Sequence, residues 1–381
     1  MNPDIKHMAR VTNTSNPLSN LLAQRYTPPF RHPLPSRTEA MLRAEGFLKK
    51  QKKNFKLLKR WLLFNASGQS NLLRDRLPPP PARILWLNLG NDRIGDAIMD
   101  LSGRALLGAF EVDLLTARSQ AEMFSTDRHF RKVFTDPGSV DPSGYDFALL
   151  DYINTRSLLF KRKWLPALPF ASIYGLFHVP EINRTLFSCY RIHHLLGYPH
   201  PEDELRPFLS PRLFVEDEPC PLPAKTGLKR VALTLGGMAP FKTYRHWPEV
   251  IRWLRKQWPA ERPFPEFVLI GSQNGLPYVK PVKAELEGCR TISLVGGLSL
   301  RATARAISGC DFYIGADGGL AHCANALKLP GVVIFGNRVT PEVALCPNTS
   351  IKTLRNPRGV NHLPPRAVAE KIWAEWERWH G

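Results

Sequence analysis

The sequence lacks the signatures of several common protein classes. No apolar run approaches the roughly 20 residues that a membrane-spanning helix needs, and the N-terminus is too polar for a secretory signal. The six cysteines are scattered, with no CxxC pair, which argues against a zinc site or a disulfide framework and favours a reducing compartment. We therefore expect a soluble chain in the cytoplasm.

Two phosphate-binding signatures and the usual metal-binding carboxylate pair are also missing. Neither GxGxxG nor GxxxxGK[ST] occurs, so dinucleotide dehydrogenases and P-loop NTPases lose their main support. No DxD-type pair of acids is present, and we predict neither a metal nor a cofactor. Zinc-finger, RNA-binding aromatic and helix-turn-helix patterns are absent as well, so no nucleic-acid partner is expected.

Acidic residues are few. The chain has 33 Asp and Glu against 52 Lys and Arg, which gives a net charge of +19. This excess of positive charge indicates an acidic partner, such as an anionic membrane surface or a phosphorylated substrate. The imbalance is largest in residues 1–64, which hold 13 basic and 3 acidic side chains. Residues 1–35, rich in Pro, Asn and Ser, are typical of an irregular arm.

A basic amphipathic helix is predicted over residues 46–64. At about 100° per residue its two sides differ: one is apolar, the other basic. The apolar side holds Phe47, Leu48, Phe55, Leu58, Trp61 and Leu62, and the basic side holds Lys49, Lys52, Lys53, Lys56, Lys59 and Arg60. Two interpretations stay open: a segment that lies on an anionic bilayer, or a helix packed on the body with its lysines in water.

The remainder of the chain is predicted to form two α/β halves. After Pro78–Pro81, apolar runs such as "RILWLNLG" alternate with helical stretches, and the pattern restarts at Lys229 with five further runs. This alternation predicts parallel, doubly wound sheets, and two Rossmann-like domains facing a cleft resemble a GT-B architecture. We expect an N-terminal arm with a basic amphipathic helix (1–81), a first Rossmann-like domain (82–224) and a second one (225–381). Ligands of such sheets bind at the carboxyl ends of the strands.

The first candidate motif, "NDRIGDAIM", follows the first strand. It places polar and glycine residues at the carboxyl end of that strand: Asn91, Asp92, Arg93, Gly95 and Asp96. Asp96 begins the next helix, where its carboxylate could accept a proton from a hydroxyl nucleophile. The alternative is that Asp96 only caps the helix.

The second motif, "LGGMAPFKTYRHWPEV", opens the second half. Gly236 and Gly237 end a strand, and Lys242 and Arg245 lie just beyond them. Two basic side chains beside a glycine loop suit a diphosphate, although an ordinary solvated loop would have the same composition.

The third motif, "IGADGGLAHCANALKLPGVVIFG", predicts a strand, a glycine turn and a helix. Asp317 ends the strand, Gly318 and Gly319 follow, and His322 lies at the mouth of the helix. Bare backbone N–H groups at a helix N-terminus suit a phosphate, although an ordinary strand-turn-helix needs no ligand.

These motifs together resemble the heptosyltransferases of lipopolysaccharide core synthesis, glycosyltransferase family 9. "NDRIGD", "RHWPE", "LVGGLSL" and "GADGGLAHCANALKLPGVVIFG" occur in the family's order between Arg83 and the C-terminus. The resemblance implies a GT-B fold and transfer of a heptose from ADP-heptose, without a metal and with inversion at the anomeric carbon. It places the acceptor on the first half and the donor on the second.

The resemblance also implies roles for single residues. Asp96 would be the catalytic base, Arg245, with Lys242, would supply charge to the diphosphate, and Asp317 would bind the donor sugar. Gly318 and Gly319 would offer backbone to the phosphates, and His322 would brace that loop. Where the family often has an acid at the ribose, this chain has Gln273 and Asn274, whose amides could bond a hydroxyl.

We therefore predict an inverting, metal-independent heptosyltransferase acting on a lipopolysaccharide core acceptor, peripheral to the inner face of the inner membrane. Residues 46–64 would meet the anionic membrane surface. Two alternatives stay open: a GT-B transferase that uses another nucleotide sugar, such as a UDP-hexosamine, and an inactive family member that serves as a scaffold.

Overall fold

The computed structural model describes residues 46–89, 93–176, 183–197 and 205–380. The chain divides into two compact units, Met1–Leu209 and Ser210–Gly381. The domain boundaries at residues 81 and 224 stay predictions.

The first unit is built around a parallel sheet with the strand order β3-β2-β1-β4-β5. Its strands are Arg83–Asn88 (β1), Glu111–Thr116 (β2), Lys132–Phe134 (β3), Phe147–Leu150 (β4) and Phe170–Ser172 (β5). The described helices are Phe47–Ala66 (α1), Ile94–Asp100 (α2), Arg118–Phe124 (α3), Thr155–Trp164 (α4) and Arg184–Leu195 (α5). The central strand β1 is buried from Ile84 to Asn88, as expected for a strand covered on both faces.

The basic helix α1 packs on the first unit. Leu57 and Phe64 are buried in the same apolar cluster as Leu158 of α4, and the Phe64 ring meets Phe170 edge-on at 6.3 Å between centroids. Trp61, predicted on the apolar side with the others, packs against this cluster and is partly buried. The other five predicted apolar residues are exposed, so the helix contacts the body through a different face from the one that the apolar pattern emphasises.

No helix among the described residues is long and apolar enough to cross a membrane. In α1 the cause is the run of basic side chains that interrupts the helix between Lys49 and Arg60.

The second unit contains a parallel sheet with the order β11-β10-β9-β6-β7-β8. Its strands are Arg230–Thr234 (β6), Glu266–Ile270 (β7), Thr291–Ser293 (β8), Phe312–Ala316 (β9), Gly331–Phe335 (β10) and Ile351–Arg355 (β11). The helices are Trp247–Gln257 (α6), Leu276–Glu285 (α7), Leu300–Ser308 (α8), Gly319–Ala326 (α9), Pro341–Ala344 (α10) and Pro365–His380 (α11). Counted within the unit, this is the 3-2-1-4-5-6 order of a dinucleotide-binding fold. The predicted pair of doubly wound parallel sheets is confirmed.

Each sheet has one position where the strand order reverses, between β1 and β4 in the first unit and between β6 and β9 in the second. The loops that leave the carboxyl ends of such neighbouring strands diverge to opposite faces and open a crevice for ligands. The candidate residues of the three motifs follow β1, β6 and β9.

Candidate functional site

In the second unit, the fold brings together two candidate residues that lie far apart in the sequence. Lys242 follows β6 and Asp317 follows β9, and the Lys242 ammonium donates to Asp317 Oδ2 at 2.7 Å. Because β6 and β9 are the neighbours at which the strand order reverses, this ion pair occupies the position where doubly wound sheets bind their ligands.

The glycine pair after β6 allows that loop to fold tightly. Gly236 has φ +76°, and a Cβ on it would come within 2.8 Å of the Gly275 backbone. A Cβ on Gly237 would lie 2.9 Å from the carbonyl oxygen of Lys242. Only residues without a side chain allow the loop to double back onto Lys242 while it presses against the turn after β7.

Asn274 holds these two loops together. Its side-chain amide donates to the carbonyl oxygen of Gly237, and its Oδ1 accepts from the Ser272 hydroxyl at 2.6 Å. The neighbouring Gln273 is exposed in the short 3-10 turn Gln273–Gly275. Both amides were predicted from the sequence to bind the donor ribose. In the structure Asn274 also supports the loop that carries Lys242.

Arg245 lies at the end of the same loop with its side chain exposed. Its backbone N–H donates to Asn361 Oδ1 at 2.9 Å, and the Asn361 amide donates in turn to the carbonyl oxygen of Thr243 at 2.9 Å. Tyr244 between them is buried and donates its hydroxyl to the carbonyl oxygen of Leu363 at 3.0 Å. Asn361 thus fixes the basic loop, and no sequence signal pointed to it.

The third motif forms the predicted strand, turn and helix. The Asp317 N–H donates to the carbonyl oxygen of Ile334 in β10 at 3.0 Å, which ties the turn to the sheet. The carbonyl oxygen of Gly318 accepts from His322 N–H at 3.2 Å, and no side chain caps α9. Gly319 begins that helix, so the turn presents backbone N–H groups and the positive end of the helix.

His322 lies in the second half of the first turn of α9, with its Nε2 4.0 Å from Asp317 Oδ1. Both side chains are largely buried. Asp317 therefore stands between Lys242 on one oxygen and His322 near the other, which restricts its orientation.

The second unit can thus offer two kinds of contact to one ligand. Lys242, Arg245 and the N-terminus of α9 carry positive charge that suits the oxygens of a diphosphate. Asp317 carries acceptor oxygens that suit sugar hydroxyls. A negatively charged ligand with hydroxyl groups would use both.

In the first unit, the candidate base Asp96 lies in the first turn of α2. Its side chain is 23% exposed, and Oδ1 lies 3.0 Å from Nη1 of Arg184, the first residue of α5. A carboxylate in the first turn also interacts favourably with the helix dipole. The side chain is therefore accessible from solvent while one of its oxygens is held.

Arg184 belongs to a buried network beneath Asp96. Its Nε donates to Asp100 Oδ1 at 2.6 Å, its Nη2 donates to Asp100 Oδ2, and the Tyr174 hydroxyl donates to Asp100 Oδ1 at 2.7 Å. The guanidinium also lies over the Tyr152 and Tyr174 rings. One arginine thus bridges the accessible Asp96 and the buried Asp100.

A third carboxyl group, Asp151, follows β4 in the same network. It is buried and its Oδ1 accepts from the Trp86 indole N–H at 2.9 Å. Burial raises the pKa of Asp151 well above its ordinary value, and the charge of Asp100 adds to this effect. Burial also raises the pKa of Asp100, with Arg184 opposing the rise. Neither Arg184 nor Asp151 was predicted from the sequence.

The other residues of the first motif fall in different places. Asn91 and Asp92 lie outside the described residues. Arg93 is exposed and its carbonyl oxygen accepts from the Gln120 amide at 3.4 Å, while Gly95 is buried inside α2. The roles predicted for Arg93 and Gly95 stay predictions.

No group of three or more His, Cys, Asp or Glu side chains is arranged to hold a metal ion in the described part of the chain. Metal independence stays a prediction.

The sequence matches the family model described as glycosyltransferase family 9 (heptosyltransferase) over residues 221–358. This range contains Lys242, Arg245, Asp317 and His322. The match confirms the resemblance inferred from the motifs and the enzyme class, a glycosyltransferase. No protein with a curated description matches the sequence.

Three solved structures share the fold at low sequence identity. The glycosyl transferase family 9 from Veillonella parvula DSM 2008 has a TM-score of 0.60 at 11% identity, over 80% of this chain and 100% of that one. The E. coli ADP-heptose LPS heptosyltransferase II has a TM-score of 0.56 at 16% identity, over 78% of this chain and 100% of that one. The E. coli heptosyltransferase WaaC with ADP has a TM-score of 0.55 at 16% identity, over 77% and 99%. The predicted GT-B type of fold is confirmed.

Proposed function

We propose that this chain, a glycosyltransferase with a family 9 domain, transfers a heptose from ADP-heptose to a lipopolysaccharide core acceptor. The observation that carries the proposal is the contact between Lys242 and Asp317 beside the glycine turn at the carboxyl edge of the second sheet. The names of two structural neighbours, an ADP-heptose heptosyltransferase and a heptosyltransferase with ADP, support this choice of donor.

The donor diphosphate is assigned to the basic groups of the second unit. Lys242 and Arg245 would neutralise the charge that develops on the leaving diphosphate, and the backbone at Gly318 and Gly319 would donate to its oxygens. The Asp317 carboxylate would accept hydrogen bonds from hydroxyl groups of the sugar. No metal is required in this scheme, because side chains and a helix N-terminus supply the positive charge.

The acceptor is assigned to the first unit, with Asp96 as general base. In a single displacement, the acceptor oxygen bonds to the anomeric carbon as the bond from that carbon to the diphosphate oxygen breaks. The hydroxyl proton passes to Asp96 and the nucleoside diphosphate leaves, so the anomeric configuration inverts. Arg184 orients the Asp96 carboxylate for this step through the contact at 3.0 Å.

The loop after β7 supports one alternative, a GT-B transferase with another nucleotide sugar such as a UDP-hexosamine. The position where an acid would meet the ribose carries Gln273 and Asn274, and the Asn274 amide already bonds to the carbonyl oxygen of Gly237. Recognition of the nucleoside would then depend on Gln273, which is exposed.

Titration calorimetry with a chelator present, against ADP and then UDP, tests the donor. Binding of ADP with no heat from UDP supports the ADP-sugar proposal, and the reverse order overturns it in favour of the alternative. Binding of neither nucleotide favours an inactive scaffold. Transfer is then measured with ADP-heptose and a lipid-free core oligosaccharide, so that the chemistry is tested apart from any membrane.

We also propose that the protein works in the cytoplasm at the inner face of the inner membrane, where a lipid-linked core acceptor would be presented. The support is the concentration of basic residues in the first 64 positions.

A further inference from the structure

Large apolar side chains are exposed unusually often on α1. Ten such side chains are exposed in the described part of the chain, and five of them belong to this single helix. Phe47, Leu48, Phe55, Leu58 and Leu62 are between 43% and 83% exposed. A sixth, Leu159, lies on α4, which packs against α1. Contiguous exposed apolar surface of this kind marks an interaction site.

These five residues form one face of the helix. At about 100° per residue they fall within a sector of about 100°, which we call the α1 stripe. Leu57 and Phe64, which pack into the first unit, lie outside that sector. The helix is therefore held by one face and presents a second apolar face to solvent.

A row of lysines borders the stripe. Lys52, Lys56 and Lys59 are exposed. On the helical wheel they lie directly beside one edge of the stripe, within about the next 80°. The sequence has no Asp or Glu between Gly46 and Arg74, so no acidic side chain of this segment itself neutralises the row. The combination of an apolar stripe with a row of lysines is the pattern of a helix that lies in the interface of an anionic bilayer.

We propose that the α1 stripe docks on an anionic lipid surface, with its apolar side chains among the acyl chains and Lys52, Lys56 and Lys59 at the headgroups. The charges favour this occupant, because lipid phosphates attract the lysine row, whereas a second copy of the helix would bring two such rows together. This inference rests on the proposed function in one respect: docking on a membrane brings the enzyme to its acceptor only if that acceptor is linked to lipid.

The attachment of α1 to the first unit gives the docking a mechanical consequence. The helix is about 30 Å long and is fixed at Leu57 and Phe64, so it can lie flat on a membrane and hold the first unit there. The unit assigned to the acceptor would then stay at the surface that carries it.

Flotation of the full chain with vesicles tests the proposal. Vesicles of equal parts phosphatidylethanolamine and phosphatidylglycerol are compared with vesicles of phosphatidylcholine alone, at low and high salt. We expect binding to the anionic vesicles that weakens with salt, and little binding to the neutral ones. Equal binding to both vesicle types, or none to either, overturns the proposal.

Variants assign the binding to the stripe and to the lysine row. Phe55→Ser/Leu58→Ser/Leu62→Ser is expected to lower the partition coefficient at least about 100-fold, and Lys52→Gln/Lys56→Gln/Lys59→Gln about 100-fold at low salt. Leu276→Ser and Lys280→Gln/Lys283→Gln, at exposed positions of α7, are the matched controls and should bind as the wild type does. Unchanged binding of the two α1 variants overturns the proposal.

Two further readouts separate this inference from the proposed function. ADP binding and transfer to a lipid-free acceptor should be the same in the α1 variants and in the wild type, because the substitutions lie on an exposed helix face. If the wild-type chain transfers the sugar to the lipid-free acceptor but does not bind the anionic vesicles, the docking is rejected and the proposed function stands. Self-association in sedimentation that the stripe variant abolishes, without vesicle binding, would identify a second copy as the occupant and overturn the proposal.

Discussion

Arg184 contacts Asp96 at 3.0 Å while the same guanidinium forms two hydrogen bonds to the buried Asp100. The candidate base is thereby paired with a cation that is itself held in place, because Arg184 donates two hydrogen bonds to Asp100 and the Tyr174 hydroxyl donates to the same carboxylate. Asp96 is thus both accessible and oriented, which a general base requires.

Substitution of Asp96, the proposed base, should greatly lower the rate of transfer without affecting the affinity for the donor nucleotide. Asp96→Asn keeps an oxygen for Arg184 but removes the proton acceptor, so we expect transfer to fall about 10²- to 10⁴-fold with unchanged ADP affinity. Transfer is measured with a lipid-free acceptor, and ADP affinity by calorimetry. Asp75→Asn, at an exposed position of the same unit, is the control. Full activity of Asp96→Asn would remove Asp96 from the mechanism.

Two substitutions of Arg184 should distinguish its effect on the orientation of the Asp96 carboxylate from its effect on the stability of the fold. Arg184→Lys keeps a positive charge beside Asp100 but cannot reach both carboxylates, so we expect kcat to fall about 10- to 100-fold with little change in KM. Arg184→Ala leaves Asp100 buried without a cation and should lower the free energy of unfolding by about 3–5 kcal/mol. Urea unfolding and steady-state kinetics measure the two effects. A wild-type kcat in Arg184→Lys would show that the contact with Asp96 is only structural.

Substitutions of the two residues of the ion pair, Lys242 and Asp317, should affect the affinity for ADP differently. Lys242→Met removes a cation from the diphosphate and should weaken ADP binding about 10- to 100-fold. Asp317→Asn frees Lys242 from its carboxylate, so ADP should bind at least as tightly while transfer of the sugar falls. Calorimetry with ADP and transfer assays test both, with Lys280→Met as the control. Parallel loss of ADP affinity in both variants would contradict the assigned roles.

Asp151 should make the fold less stable as the pH rises. Its pKa is raised by burial, so the folded state binds more protons than the unfolded state above the ordinary pKa of 3.8. This contribution to stability is complete below the ordinary pKa and is lost as the pH rises through the raised one, at no more than about 1.4 kcal/mol per pH unit. Asp151→Asn, which can still accept from Trp86, should flatten this part of the profile. Urea midpoints across the pH range check it, and an unchanged slope would assign the dependence to other groups.

The sequence allowed the two sheets to be predicted because strands covered on both faces appear as uninterrupted apolar runs. It also located Lys242 and Asp317, since each follows such a run within a recognisable motif. It could not show that they touch, because that contact depends on the strand order, which places β9 beside β6.

Arg184 and Asn361 were missed for the same physical reason. Each acts through partners distant in the sequence, and an arginine after Asn183 or an asparagine near the C-terminus has no local pattern that marks it. For α1 the periodicity was informative but incomplete, because this helix has two apolar faces. The pattern emphasised the exposed stripe, whereas Leu57 and Phe64 on the other face are the residues that pack.

The ion pair between Lys242 and Asp317 means that the site holds its own counter-ion. An inorganic anion that arrives alone must displace the carboxylate and leave it without a partner, so it gains only the difference between two similar attractions. In the proposed binding mode a nucleotide sugar would compensate both sides of the exchange, since its phosphates would bind the lysine and its hydroxyls would bind the aspartate. The site would therefore bind the free phosphate and pyrophosphate of the cell less tightly than the intact donor, a selectivity that arises from competition within the protein itself.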